Sequence, residues 1–166
     1  RNEGEMSNWG LELAINSVNV EKNNWRWTTD FNISMNRNRL EKLNLQQVYY
    51  YTQTSEALSE YVVRMTPGQP LSQFWGYTAL GVDPETGMIQ YEDYNGDGKV
   101  NVADKHYIGD ANPLFTAGLT NTISWKGLSF SFLLTSSVGN DIYNASKIEM
   151  IGMYTGGNQI KDVVRR

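Results

Sequence analysis

The chain has 166 residues, no cysteine, one histidine, and a net charge of −4 from 14 basic and 18 acidic residues. That excludes thiol catalysis, cysteine-based zinc sites and disulfides, leaves His106 alone for any triad or two-histidine site, and provides no concentrated basic face for nucleic acid. No run approaches the roughly 20 apolar residues of a spanning helix; the mean hydropathy of −0.50 still admits a β-barrel, in which only alternate strand residues meet lipid.

Ten Tyr, five Trp and 15 Gly, with Asn throughout, suit strands and turns better than helices. The chain begins at Arg1 without Met or a signal peptide, so it is expected to be part of a longer polypeptide. The first strand is expected over about residues 9–20. Leu11, Leu13 and Ile15 are in phase there, and a shift to Val18 and Val20 predicts a bulge near Asn16-Ser17. Glu21 to Asn23 forms a short turn into the strongest signal, residues 24–36. There Trp25, Trp27, Thr29, Phe31, Ile33 and Met35 alternate with Asn24, Arg26, Thr28, Asp30, Asn32, Ser34 and Asn36. Strict period two over 13 residues predicts a strand with one apolar and one wet face, longer than the roughly 5–6 residues of an ordinary globular strand. A tilted membrane-crossing strand needs about 9–11.

Residues 37–112 are too long for an ordinary connection and read as a long loop region. They contain an amphipathic run from Leu40 to Val63, a Pro67-Gly68 break, and short strand candidates at Phe74–Leu80 and Met88–Tyr91 around the Asp83-Pro84-Glu85-Thr86-Gly87 turn. Two further strands are expected at about 113–125 and 127–138. In the first, Phe115, Ala117, Leu119, Ile123 and Trp125 alternate with polar residues, Asn121 being the exception. In the second, Leu128, Phe130, Phe132, Leu134 and Val138 alternate with Ser129, Ser131, Thr135 and Ser137. Lys126-Gly127 makes the tight turn between them. Trp residues beside both short turns match what a membrane interface favours; core Trp at the strand ends of a soluble sandwich is the plainer reading.

One segment carries a chemical pattern. Residues 93–104 place Asp93, Asn95, Asp97, Asn101 and Asp104 at positions 1, 3, 5, 9 and 12 of a twelve-residue loop, with Gly98 at position 6 and the Lys99 carbonyl at position 7. That spacing wraps oxygens around calcium. The competing reading is a hydrogen-bonded Asn-Gly-Asp-Gly turn. Flanking helices are not expected, because Ile89-Gln90-Tyr91 reads as strand and Gly109 and Pro113 follow closely. Asn140, Asp141, Tyr143 and Asn144 form a polar–aromatic loop able to touch sugar or a partner, although most such loops are solvated turns. Glu92 and Asp93 point to opposite faces of a strand and make a poor catalytic pair, and His106 reads as a loop residue.

Taken in order, these motifs resemble the SusC/RagA family of TonB-linked outer-membrane transporters over nearly the whole chain. Asn8-Trp9-Gly10-Leu11-Glu12, Trp25 with Phe31 to Asn38, Gly68-Gln69-Pro70-Leu71 with Phe74-Trp75-Gly76-Tyr77, Gly81 to Gly87, Tyr91 to Asp104, and Gly127 to Asn144 carry the likeness. The resemblance implies an all-β fold, an antiparallel transmembrane β-barrel segment with long extracellular loops, 1–166 forming part of one barrel domain. It implies import of glycan or peptide fragments across the outer membrane of a Gram-negative bacterium, no enzymatic activity, a SusD-like surface lipoprotein as partner, and TonB contact through regions beyond these residues. Phe31, Ile33, Met35, Phe130 and Phe132 are then expected to face lipid, and Arg26, Asp30, Asn32 and Ser131 the lumen. Two rivals remain: a soluble calcium-stiffened carbohydrate-binding or adhesion β-sandwich, whose apolar strand faces would share one core, and a glycosidase fragment, for which no carboxylate pair is evident.

Overall fold

The structure, a computed structural model, describes residues 4–44, 48–51 and 61–151. The strands are β1 (Gly4–Lys22), β2 (Trp25–Leu43), β3 (Val48–Tyr51), β4 (Tyr61–Met65), β5 (Gln73–Gly76), β6 (Ala79–Val82), β7 (Ile89–Tyr91), β8 (His106–Asp110), β9 (Phe115–Trp125) and β10 (Leu128–Val138); a short helix α1 (Ser146–Ile151) follows. They form three antiparallel sheets: β1-β2-β9-β10, β3-β4-β5-β8, and the β6-β7 hairpin.

The first sheet is a wall with two unlike faces. Ile15, Phe31, Leu119 and Leu134 stand in one cross-strand row, and Ala14, Asn32, Gly118 and Thr135 in the row on the opposite face. Period two sets each strand's faces, and this register aligns the four apolar faces. Nothing among the described residues covers that side: Leu11 is 69% and Phe130 64% exposed. The opposite face carries hydroxyl pairs, Thr122 with Ser131 and Ser124 with Ser129, each at 3.0 Å.

Both short turns are of the mirror-image type that suits twisted strands. Asn23 and Asn24 have φ of 52° and 66°, and Lys126 and Gly127 have φ of 44° and 89°. The first turn lies one residue later than expected. The bulge in β1 also moves, to between Val18 and Val20. Asn19 is the extra residue, and its amide donates to Thr29 Oγ1 at 2.6 Å. The β1-β2 pair also runs further than the alternation predicted. Each strand has 19 residues, because Gly4 still pairs with Leu43. The connection therefore begins after Leu43 rather than at residue 37. The Phe74–Leu80 candidate divides into β5 and β6, which belong to different sheets. Part of the Leu40–Val63 run lies outside the described residues; its described parts are strand except for a bend at Asn44.

The far end of β2 supports the outer unit. Leu40, 6% exposed, is the one buried apolar side chain among the described residues. Its backbone closes on the Pro67-Gly68 turn through Leu40 N to Gln69 O (3.0 Å) and Gly68 N to Leu40 O (2.6 Å). Asn38 accepts from Leu71 N at 2.6 Å and donates to Asn112 Oδ1 at 2.9 Å, while Arg37 donates to the Leu114 carbonyl at 3.1 Å. The unit built from β3 to β8 is thereby held at the end of the wall opposite the short turns.

Candidate functional site

From Trp25 to Met35, ten residue steps at about 3.3 Å each span roughly 33 Å along the strand, the length that a strand tilted as in outer-membrane barrels needs to cross an apolar band about 25 Å tall. Trp25 and Trp125 stack at 5.6 Å at its lower edge, with Lys126 Nζ 5.1 Å from the Trp125 ring. Trp9, opposite Arg37, marks the upper edge. Above it, Ser7 bonds Glu41 at 2.6 Å and Lys42 approaches Glu5 at 3.9 Å, groups suited to water. Phe31, Ile33, Met35, Phe130 and Phe132 share the apolar face, and Arg26, Asp30, Asn32 and Ser131 the polar one.

Asn121 interrupts the apolar face with a closed network. Trp27 Nε1 and Thr29 Oγ1 both donate to Asn121 Oδ1, at 2.9 and 2.7 Å, and Ser17 Oγ donates to Asn19 Oδ1 at 3.0 Å. With no water in hydrocarbon, polar groups must be satisfied within the protein, and this cluster largely does so.

In the outer unit the loop 93–104 closes on itself. Asp93 accepts from the amides of Gly96, Asp97 and Gly98 at 2.8, 3.1 and 2.7 Å; Asn95 accepts from Asp97 N and Asp97 from Lys99 N, both at 2.8 Å. Asp104 is 0% exposed and accepts from Asn101 N at 2.7 Å and Asn95 N at 3.3 Å. Asn101 caps the short 3₁₀ turn Val102–Asp104 in return. The Asn101 amide, first among several donors, holds the Asp104 carboxyl below its ordinary range, against the opposing effect of burial. Gly96 and Gly98 occupy φ of 73° and 81°, where a side chain is strained. The Lys99 carbonyl accepts from Asn101 Nδ2 at 3.2 Å. The donors suit a hard cation in kind, yet among the described residues no three acidic or histidine groups converge as a metal cluster. The same side chains make the hydrogen bonds of the turn. His106 begins β8 and anchors the loop: its ring stacks on Tyr94 at 3.9 Å, with Nε2 3.0 Å from Thr78 Oγ1 and Nδ1 2.8 Å from the Asp104 carbonyl.

Beside this loop lies an aromatic cleft of about 330 Å³, lined by Tyr61, Trp75, Tyr77, Tyr91, Lys105 and Tyr143 among others. Tyr91 leads into the loop and Lys105 leaves it, so the loop sets the spacing of two cleft walls. Lys105 Nζ lies 5.2 Å from the Tyr77 ring, and Tyr77 meets Tyr91 at 5.4 Å. Of the second predicted group, only Tyr143 reaches the cleft, 5.9 Å from Phe74. Asp141 latches its loop to β8: Asp141 N donates to Asp110 O at 2.7 Å, and Asp110 N to Asp141 Oδ2 at 2.8 Å. Gly109 permits this approach, since a Cβ there would stand 2.9 Å from Asp141 Oδ2. Asn140 accepts from Ser137 Oγ and Asn144 from Lys147 N, local bonds that shape the loop and the start of α1. Sequence reasoning missed the cleft. Its one signal was the aromatic density of residues 74–77, 91 and 107.

No known family profile matches the chain, but individual relatives do. It is 29% identical over 166 residues to TonB-dependent receptor P3 of Formosa agariphila, covering 90% of this chain and 17% of the relative. It is 25% identical over 167 residues to TonB-dependent receptor SusC of Bacteroides thetaiotaomicron, covering 93% and 17%. The solved RagAB peptide importer in its closed-closed state superposes with a TM-score of 0.62 at 22% identity, over 84% of this chain and 16% of that one. The fold is thus that of a stretch of transmembrane β-barrel wall with an elaborated end. More narrowly, the chain is similar in sequence to proteins named as TonB-dependent receptors, SusC among them. It spans about a sixth of the length of the curated relatives it matches.

Proposed function

We propose that this chain forms wall and outer surface of a TonB-linked importer in the outer membrane of a Gram-negative bacterium. The observation that carries this reading is the four-strand register, which collects exposed apolar side chains into one continuous band and ends it at Trp25 and Trp125. Four strands cannot close even the smallest barrel of about eight, so further strands complete the pore. The polar face lines that pore, and the unit from β3 to β8 stands outside the cell, where a SusD-like lipoprotein covers it and an oligosaccharide or peptide is received. TonB acts through other parts of the polypeptide. No bond in the cargo is broken.

The soluble sandwich reading requires a second layer on the apolar face, and among the described residues Leu11, Leu13 and Phe130 of that face remain exposed. The test is expression of the full-length protein in a Gram-negative host. Outer-membrane fractionation, heat-modifiable migration and cargo uptake lost on deleting TonB are the expected results. A full-length protein that is monomeric in detergent-free buffer would remove the proposal.

Calcium in the 93–104 loop is a separable part of this reading, supported by the oxygen spacing of Asp93, Asn95, Asp97, Asn101 and Asp104 with the Lys99 carbonyl. Bound there, it would stiffen the cleft walls at Tyr91 and Lys105. Calorimetric titration of the intact protein should then give heat reversed by chelator; no heat at millimolar calcium removes the ion and leaves the importer reading intact.

A further inference from the structure

Loop 93–104 holds the single Asn-Gly step of the chain, Asn95-Gly96. In an open chain such a step is chemically unstable. The Gly96 nitrogen, uncrowded by any Cβ, loses its proton and attacks Asn95 Cγ. A new N–C bond forms, the bond from Cγ to the carboxamide nitrogen breaks, and that nitrogen leaves as ammonia. Water then opens the cyclic imide at either carbonyl, giving aspartate or isoaspartate; nothing is oxidised or reduced. We propose that Asn95 is a latent deamidation site, shielded while the loop is closed and converted irreversibly when it opens.

The shield is made of bonds to the reacting atoms themselves. Gly96 N–H donates to Asp93 Oδ1 at 2.8 Å. Attack requires that nitrogen to shed its proton, and a carboxylate beside it disfavours a second negative charge there. The Asn95 carboxamide is tied at both ends to Asp97: Oδ1 accepts from Asp97 N at 2.8 Å, and Nδ2 donates to Asp97 Oδ2 at 3.3 Å. The Asp97 N–H also polarises the Asn95 carbonyl, which favours attack, but polarisation is of no use while the nucleophile keeps its proton. The backbone is fixed as well. Asn95 N donates to Oδ1 of the buried Asp104 at 3.3 Å, and Gly96 is held at φ of 73°.

Conversion closes the way back. Either product replaces the Asn95 amide donor by a carboxylate, so a hydrogen bond to Asp97 Oδ2 becomes a repulsion between like charges. The loop already carries Asp93, Asp97 and Asp104, and isoaspartate also lengthens the backbone between the anchors Asp93 and Asp104 by a methylene. Opening is thereby recorded as a covalent change in the segment that spaces Tyr91 and Lys105. The inference draws only on bonds within the loop and holds whichever side of the membrane the loop faces.

The test incubates full-length protein in detergent at mildly alkaline pH, beside the same protein unfolded in urea. Deamidation at Asn95 is followed by peptide mass spectrometry with isoaspartate detection. Chelator in every arm makes the hydrogen bonds alone answer for the protection. The folded protein should convert at least about tenfold more slowly than the unfolded one, because only the locally opened fraction reacts. Asp93→Ala frees the Gly96 N–H and Asp104→Ala frees the Asn95 N–H; each should raise the folded rate by about fivefold or more, the effect of losing hydrogen bonds to a charged acceptor. Asn95→Asp, the product mimic, should lower amide-exchange protection over residues 93–104. Heat-modifiable migration checks that each variant still folds, and the comparison of folded with unfolded wild type decides alone if a variant does not. Equal rates in folded and unfolded wild type, or protection that survives both carboxylate variants, overturns the shield. Full amide protection in Asn95→Asp overturns the irreversible opening.

Discussion

The two halves of this molecule solve opposite solvent problems. The wall made by β1, β2, β9 and β10 uses strands of 11 to 19 residues, exposes its apolar side chains, and hides its hydrogen-bonding groups in ladders. The outer unit uses strands of three to five residues, and much of its order comes from Asp and Asn side chains accepting backbone amides at turns. Where the surroundings are hydrocarbon, the side chains can be open and the polar groups must be closed. In water an exposed carboxylate is tolerated, and turns can be tied by it. Asn121 shows the same rule within the wall, since the one strongly polar row of the apolar face is knitted by Trp27, Thr29, Ser17 and Asn19.

The contrast can be broken most severely at mid-band. Leu119→Arg should cost about 2–4 kcal/mol of folding stability in bilayers, the penalty for a cation at the midplane. Thr120→Arg, one residue on and facing the pore, should be nearly neutral. Equilibrium unfolding of the full-length protein in vesicles compares them, and equal effects would mean the faces are wrongly assigned. A smaller loss is expected from Asn121→Ala, about 1–3 kcal/mol, because the Trp27 N–H loses its acceptor in an apolar setting. Asn95→Ala, in the water-exposed loop, should cost clearly less by the same measurement. Gly98→Ala places a side chain at φ of 81° and should destabilise the loop by about 1–2 kcal/mol, seen as faster amide exchange over residues 93–104 with the wall unaffected.

The mildest test is acidification. The Asp104 carboxyl is lowered from an ordinary value of 3.8 by amides it accepts in the folded loop. Its contribution is therefore complete above that value and is lost as pH falls through the lowered one. Amide protection of Asn95 and Asn101 should hold from neutral pH to about 5 and decline only in stronger acid. Asp104→Asn should flatten this dependence, and protection in wild type that already fails near pH 6 would contradict the assignment.

Much of the wall was readable from the sequence because strand geometry is local. Alternation at Trp25 to Met35 states which solvent each face meets, and Lys126-Gly127 states where the chain reverses, whatever the rest of the protein does. The turn-forming carboxylates of residues 93–104 were legible for the same reason, since their bonds reach no more than a few residues, apart from Asp104 to Asn95. What only the tertiary structure decided depends on partners distant in sequence. β1 and β2 run on past the apolar band because each supplies the other's hydrogen bonds, not because their pattern continues. The bulge falls at Asn19 because Thr29 on β2 offers it a partner. Leu40 is joined through its backbone to the Pro67-Gly68 turn, and Tyr143 reached the cleft because Asp141 meets Asp110, 31 residues earlier in the chain. A one-dimensional pattern records the solvent on either side of a strand; it holds no coordinate for how two remote loops approach, and the cleft exists only in that approach.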